Sequence, residues 1–305
     1  MYLAKPHNPA LAAGLIAVAT AFIAATTLIA KALGTEQFGP ALHPFQIVFG
    51  QFLFAFLAFS IAVAIVRPKL QRPHLGLHLA RTSGGWAGLT LMFASVAHIP
   101  LADATAISFL NPVFGMIFAI PFLGERVGKW RWLAAGVSLS GAMILLRPTP
   151  DSFQPAALLA LGAAVILGAE LNVIKKLTGR ESPFSILFVN NAIGVVIAGM
   201  AVIWVWQDLM AAQWVLMATL GVAMAVAQSC FVNAMARADA SFVAPFSYGT
   251  LIFAALYDVV FYDVIPDQVT VLGAAIIILG ALLLAWREGR KPPTLAKPRH
   301  NDDPL

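Results

Sequence analysis

Charge is scarce in this chain. Asp, Glu, Lys and Arg make up 11% of its 305 residues, less than half of the roughly one-quarter usual in a soluble domain. That shortfall excludes an ordinary solvated globular surface. Cysteine is nearly missing: Cys230 stands alone, so no internal disulfide forms, and the thiol says little about redox compartment. Short motifs that carry common chemistries are also absent. There is no GxxxxGK[ST] run to cradle a nucleotide phosphate, no HExxH for zinc and no GxSxG elbow for a nucleophilic serine. His74 and His78 have no third ligand near them in sequence, so no metal site is expected. No cofactor is implied, and an intramembrane enzyme is a remote alternative.

What fills the chain is apolar. Hydrophobic residues account for 60% of it and mean hydropathy is +0.84, which implies a polytopic membrane protein whose surroundings are the lipid bilayer. The first apolar run continues to residue 30, too long for the h-region of a cleavable signal. Ten apolar stretches are legible, at about 10–30, 44–66, 82–98, 103–123, 132–146, 155–174, 183–205, 213–236, 240–262 and 268–286, each near the ~20 residues a spanning helix needs. The fifth is short, and Trp130, Arg131, Trp132 and Arg147 are available to anchor its ends.

Basic residues set the direction. With the N-terminus inside, seventeen of the nineteen Lys and Arg residues fall on inner segments, and only Lys31 and Arg147 fall outside. That bias is the positive-inside pattern. It places both termini in the cytoplasm and leaves no nucleic-acid role for the positive charge. The segment 289–305 is polar and proline-rich and is expected to be a disordered cytoplasmic tail.

Two stretches match each other. Residues 101–125 read LADATAISFLNPVFGMIFAIPFLGE, and 238–263 read ADASFVAPFSYGTLIFAALYDVVFYD. Both open on Ala-Asp-Ala, hold an internal proline (Pro112, Pro245) and end on an acid. Pro112 lacks an N–H and disrupts the bond to the Ser108 carbonyl, an expense in lipid that suits a helix beside a polar cavity. Five spans per copy is odd, so the second copy enters the membrane from the other side. The result is an all-α membrane fold of ten helices in two inverted repeats, 10–148 and 155–288, a recurring architecture of secondary transporters. The last helices of the halves, 130–148 and 269–287, carry Gly136, Ser140, Gly273 and Gly280, which favour close packing.

The motifs PLADATAISFLNPVFGMIFAIPFLGERV (100–127), ADASFVAPFSYGTLIFAAL (238–256) and IPDQVTVLGAAIIILGALLLAWRE (265–288) resemble the paired EamA domains of the drug/metabolite transporter superfamily. The resemblance covers roughly 10–288 and is nearest to bacterial members of the S-adenosylmethionine and riboflavin uptake type. It implies ten helices, cytoplasmic termini, a central cavity between inverted halves, and a small organic substrate moved across the bacterial inner membrane by alternating access. More distant relatives export amino acids and other metabolites, so direction stays open between uptake of a nucleoside-like or flavin-like compound and export. Asp258 and Phe261-Tyr262-Asp263 depart from the family's usual glycine and Phe-Gly-Glu ending.

Several polar residues in the apolar spans are candidates for the substrate site. Ser108, Asn111 and Gly115 share a face of the fourth span with Pro112 nearby. That face either packs tightly against another helix or presents the Asn111 amide to a cavity. Ser247 and Tyr248, with Ser241, are the counterparts in the ninth span. Glu170 is the acid deepest in an apolar run; it pairs with Lys175 or serves as substrate ligand or proton carrier. Asp103 and Asp239 are N-caps of their helices, or Asp103 couples protons. Glu125 forms ion pairs at the inner interface or gates. Gln228, Ser229 and Asn233, Trp86 and Thr90, Gln46, and Asn190 with Asn191 are either glue between helices or cavity lining. Asp258 is expected to snorkel to the outer surface. Asn111 and Glu170 are expected to meet water in one polar hollow. A monomer and a homodimer are equally compatible with the sequence.

Overall fold

The computed structural model describes residues 8–68, 73–123, 128–146, 154–178, 180–235 and 249–288. Each apolar run within them is helical, because in lipid the backbone polar groups must bond within their own segment. The helices are α1 (Pro9–Leu33), α2 (Pro44–Val66), α3 (Leu75–Val96), α4 (Leu101–Ser108), α5 (Asn111–Leu123), α6 (Lys129–Leu146), α7 (Ala156–Thr178), α8 (Pro183–Val202), α9 (Ala211–Met235), α10 (Gly249–Tyr262) and α11 (Gln268–Glu288). No strand occurs among the described residues. Among the described residues, six stretches are long and apolar enough to cross a membrane: Ala10–Leu33, Pro44–Val66, Leu101–Phe122, Ala156–Ile174, Phe184–Val202 and Ala211–Phe231. Shorter apolar helices cover Gly249–Tyr262 and Gln268–Gly280. The chain is an all-helical, multi-pass membrane protein.

Helix starts follow local chemistry. Pro44 and Pro183 each open a helix at a position where a backbone N–H has no intrahelical partner. The preceding residue caps in both cases: His43 accepts from Phe45 N at 3.2 Å, and Ser182 accepts from Ser185 N at 3.3 Å. The segments HPFQIVFGQ (43–51) and SPFSILFVN (182–190) are thus a second internal match.

The fourth stretch is not one helix. α4 stops at Ser108, where Phe109 N turns back to Ala106 O at 3.1 Å and Leu110 N to Ile107 O at 3.0 Å. α5 then starts at Asn111 with Pro112 in its first turn. The interruption falls at the carbonyl that Pro112 cannot serve. Asp103 is not the N-cap of this helix. Pro100 holds that position, and Asp103 lies inside the first turn.

Packing between helices obeys an exchange rule. α1 packs on α9 and α3 on α7; α2 touches α9 and α3 touches α8; α1 touches α10 and α5 touches α7. Swapping α1 with α7, α2 with α8, α3 with α9 and α5 with α10 turns each pair into its companion. The contacts α2 with α8 and α6 with α11 join equivalent elements, and α4 also touches α10. Close approaches rest on glycine. A Cβ on Gly141 would lie 2.7 Å from Gly273 O, where α6 crosses α11, and one on Gly168 would lie 2.6 Å from Asn111 O, where α7 crosses α5. Gly136 and Ser140 are exposed and Gly136 has no neighbour in reach, so at the α6–α11 contact Gly141 does the work expected of them.

Candidate functional site

Polar groups buried in an apolar helix bundle are costly unless paired, so their location marks where the fold has a reason to keep them. They gather in two regions. One lies at the end of the bundle where α1 hands over to α2 and α10 to α11. The other runs from the opposite end along α3.

At the first end the centre is Asp258 on α10, fully buried. Lys31 Nζ from α1 donates to its Oδ1 at 3.0 Å, and Ala102 N in the first turn of α4 donates to its Oδ2 at 2.9 Å. The carboxylate thus neutralises a buried ammonium and occupies the positive end of a helix dipole. Lys31 Nζ also stands 4.2 Å from the centre of the Tyr262 ring. Asp103 Oδ1 accepts from Thr270 Oγ1 of α11 at 2.7 Å. Beside these groups is a cavity of about 210 Å³, edged by Pro100, Asp103, Gln154, Asp258, Asp267 and Thr270. Asp258 therefore does not snorkel: Lys31 and the α4 terminus satisfy it inside the protein.

From the N-cap of α3 onward, five residues recur at every fourth position: His74, His78, Thr82, Trp86 and Thr90. They form one stripe that winds by about 40° per step around the helix. Glu181, in the link between α7 and α8, receives the first two. Its Oε1 accepts from His74 N at 2.8 Å and meets His74 Nδ1 at 3.0 Å; its Oε2 meets His78 Nε2 at 2.9 Å. Burial by itself would raise the Glu181 carboxyl, but the hydrogen bonds from His74 and His78 and the charge of the His78 ring hold it below the usual carboxylate range. One turn further, Thr82 Oγ1 donates to Asn190 Oδ1 at 3.1 Å. Arg81 Nε lies 3.6 Å from Glu170 Oε1, and its Nη1 donates to Ile186 O at 3.4 Å. Beyond them Trp86 Nε1 and Thr90 Oγ1 are sealed from solvent and have no hydrogen-bond partner among the described residues. Gln51 Oε1 on α2 is in the same condition. Each such atom costs about 1–3 kcal/mol when left unmatched.

The other candidates are dispersed. Asn111 and Gly115 face α7, where Gly168 meets the Asn111 carbonyl and Asn172 Nδ2 donates to Gly115 O at 3.0 Å. Ser108 Oγ turns back to Thr105 O at 2.7 Å. Pro112 contributes its backbone to the α5 start, and its side chain lies outside the described atoms. Glu170 leaves α7 on another face, with its carboxylate beside Gly85 of α3. The Asn111 carbonyl and the Glu170 carboxylate thus lie against different helices, α7 and α3. The Lys175 side chain also lies outside the described atoms; Arg81 is the basic partner found for Glu170. Gln228 Oε1 faces Asn191 Nδ2 at 3.5 Å. The Ser229 carbonyl accepts from Asn233 Nδ2 at 2.8 Å, and Gln46 Nε2 donates to Gln207 O at 2.7 Å. Ser247 and Tyr248, with Glu125, Asp239, Ser241, Pro245 and the tail from 289 onward, lie outside the described residues. Glu181, Arg81 and Lys31 are absent from the list drawn from sequence. The four-residue spacing on α3 was a legible signal for part of it; the cross-chain partners were not.

Known proteins match along nearly the whole chain. The model of the EamA-like transporter family fits twice, at residues 11–147 and 154–286. The S-adenosylmethionine uptake transporter of Rickettsia bellii is 30% identical over 268 residues, covering 87% of this chain and 89% of its own. The riboflavin transporter of Rhizobium johnstonii is 34% identical over 254 residues, 80% of this chain and 81% of its own. The pseudopaline exporter of Pseudomonas aeruginosa is 27% identical over 221 residues, 71% of this chain and 77% of its own. A protein of known crystal structure superposes with a TM-score of 0.61 at 19% identity, over 92% of this chain and 98% of that one; the likeness is one of fold alone.

Proposed function

Because the chain belongs to the EamA-like transporter family, we propose that it is a secondary transporter that carries a small organic metabolite across the bacterial inner membrane by alternating access between its halves. The observation that carries this reading is the exchange rule in helix packing, combined with the double family match. Halves whose contacts survive exchange can rock against each other and open first one end, then the other. Five spans in each half make the repeats inverted and the span count ten, and the distribution of Lys and Arg puts both termini in the cytoplasm. The transporter works without cofactor or metal and catalyses no covalent chemistry. Its partners are the lipid bilayer and its substrate, as a monomer or a homodimer.

Uptake is the first reading, since one relative is named for S-adenosylmethionine uptake; another is named for riboflavin transport without a direction. Export is the second, supported by the relative named as a pseudopaline exporter. Substrate contacts fall to the polar residues between the halves, with Trp86, Gln228 and Ser229 on α3 and α9, Ser108, Asn111 and Pro112 at the α4–α5 break, and Ser247 and Tyr248 before α10. Glu170 and Asp103 are the acids available for proton coupling. Purified protein in liposomes, given radiolabelled S-adenosylmethionine, riboflavin and a panel of amino acids in each direction, tests the proposal. Saturable accumulation of one compound is expected. No movement of any compound in either direction would remove the carrier reading. Rescue of an auxotroph, against protection from a toxic analogue, separates uptake from export.

A further inference from the structure

The polar stripe on α3 has a mouth. Its first two members, His74 and His78, are held by a carboxylate from the other half of the chain, and its last two, Trp86 and Thr90, end in sealed polar atoms without partners among the described residues. His78 is fully buried and Glu181 nearly so, so this contact closes the end of the bundle where it sits. Between mouth and end, Thr82 and Arg81 touch Asn190, Ile186 and Glu170 of the second half. A row of polar residues along one helix that meets another helical half is poor glue for lipid-embedded packing when, as here, its inner members find no bond among the described residues. It suits a surface that polar cargo or water wets when the halves part.

We propose that Thr82, Trp86 and Thr90 line the permeation path on the first half, and that Glu181 with His74 and His78 is its gate at that end. The proposal rests on the carrier reading above and adds to it a route and a latch. Opening swings the α7–α8 link away from the start of α3, breaks the three contacts to one carboxylate together, and exposes the stripe in order from Thr82 inward. At the opposite end the equivalent contact is neutral: Gln207 Nε2 donates to Ala41 O at 2.8 Å, Gln213 Nε2 to Pro40 O at 2.9 Å, and Gln46 to Gln207 O. The link contacts at the two ends therefore differ in chemistry: a carboxylate holds the α7–α8 link, neutral amides hold the α1–α2 link, and the charged pair at that second end, Lys31 with Asp258, joins α1 to α10 instead.

The test needs no substrate. In a Cys230→Ala background, spin labels at Leu75→Cys and Arg180→Cys, both exposed, report the distance across the latch in liposomes. In a separate variant, Thr90→Cys reports access along the stripe through a membrane-impermeant maleimide applied at fixed pH from the latch side. Glu181→Gln should raise the long-distance population and the Thr90→Cys labelling rate by about tenfold, the scale set by losing charge-assisted hydrogen bonds; Glu181→Asp should restore most of the closed state. An acid arm requires no substitution at the latch. Glu181 protonates below the usual carboxylate range, so closure should persist at neutral pH and fail as pH falls through that lower range. The charged and titratable groups around it are His74 and His78 on α3, Arg81 with Glu170 behind them, and exposed Lys176 and Arg180 beside the link. Equal distances in wild type, Glu181→Gln and acid, with equal labelling of wild type and Glu181→Gln at fixed pH, would overturn the gate while leaving the carrier reading intact. A latch that opens in a protein that moves no metabolite would overturn the carrier reading instead.

Discussion

Asp258 on α10 ties together three helices, α1, α4 and its own. Its two oxygens bind Lys31 and the amide of Ala102, and Lys31 is itself 8% exposed. Removing one member of such a pair leaves a charge that neither water nor lipid can satisfy. Lys31→Met should therefore destabilise the protein by about 3–5 kcal/mol, seen as a clear fall in melting temperature in detergent. Lys31→Met with Asp258→Leu together should recover part of that loss, since two apolar groups strand no charge. An unchanged melting temperature for the single variant would show that Asp258 is not buried as described. From sequence this acid had every mark of an interfacial group, one that reaches for water at the end of a span. What sequence could not supply was Lys31, 227 positions away, because long-range pairing has no periodic signature.

Among elements, the fourth stretch and its neighbour α7 carry the clearest lesson. The internal proline predicted trouble at the Ser108 carbonyl, and α4 and α5 separate there. The shared face of Ser108, Asn111 and Gly115 was equally visible, but two uses for it remained open. The structure uses the backbone of that face for packing: Gly168 nests against the Asn111 carbonyl and Asn172 donates to the Gly115 carbonyl. Gly168→Val should force α5 and α7 apart, because a Cβ would sit 2.6 Å from Asn111 O and 2.8 Å from Gly115 N, both backbone atoms that cannot swing aside. A loss of about 1–3 kcal/mol is expected, checked by a lower melting temperature and a smaller monodisperse fraction. Gly136→Val, which meets nothing within 4 Å, is the matched control and should behave as wild type.

For the whole molecule, the symmetry of helix contacts was partly foreseen. The repeat of Ala-Asp-Ala with a later proline announced two copies, and a second match, HPFQIVFGQ with SPFSILFVN, was equally available. It places Gln51 opposite Asn190, so the match also pairs two polar positions of α2 and α8. Orientation follows from charge and is directly checkable. A fluorescent protein fused after residue 305 should fold and fluoresce, and a periplasm-dependent phosphatase fused at the same place should be inactive. The same phosphatase placed in the loop after α10, at residue 265, should be active. The reverse pattern would invert the molecule and put the Glu181 latch on the outer face.

Composition and periodicity alone determined that this chain lives in a bilayer, that it is helical, that it is doubled, and that its fourth stretch breaks at Pro112. These are consequences of local rules: lipid accepts only internally bonded backbone, proline removes one bond, and basic residues resist translocation. Only the tertiary structure decided which buried charges meet. Lys31 with Asp258, Arg81 with Glu170, and both histidines with Glu181 are pairs drawn from different halves. A carboxylate in a low-dielectric interior takes whichever cation or donor the packing brings within about 3 Å, and that choice is set by how helices cross, which no single segment encodes.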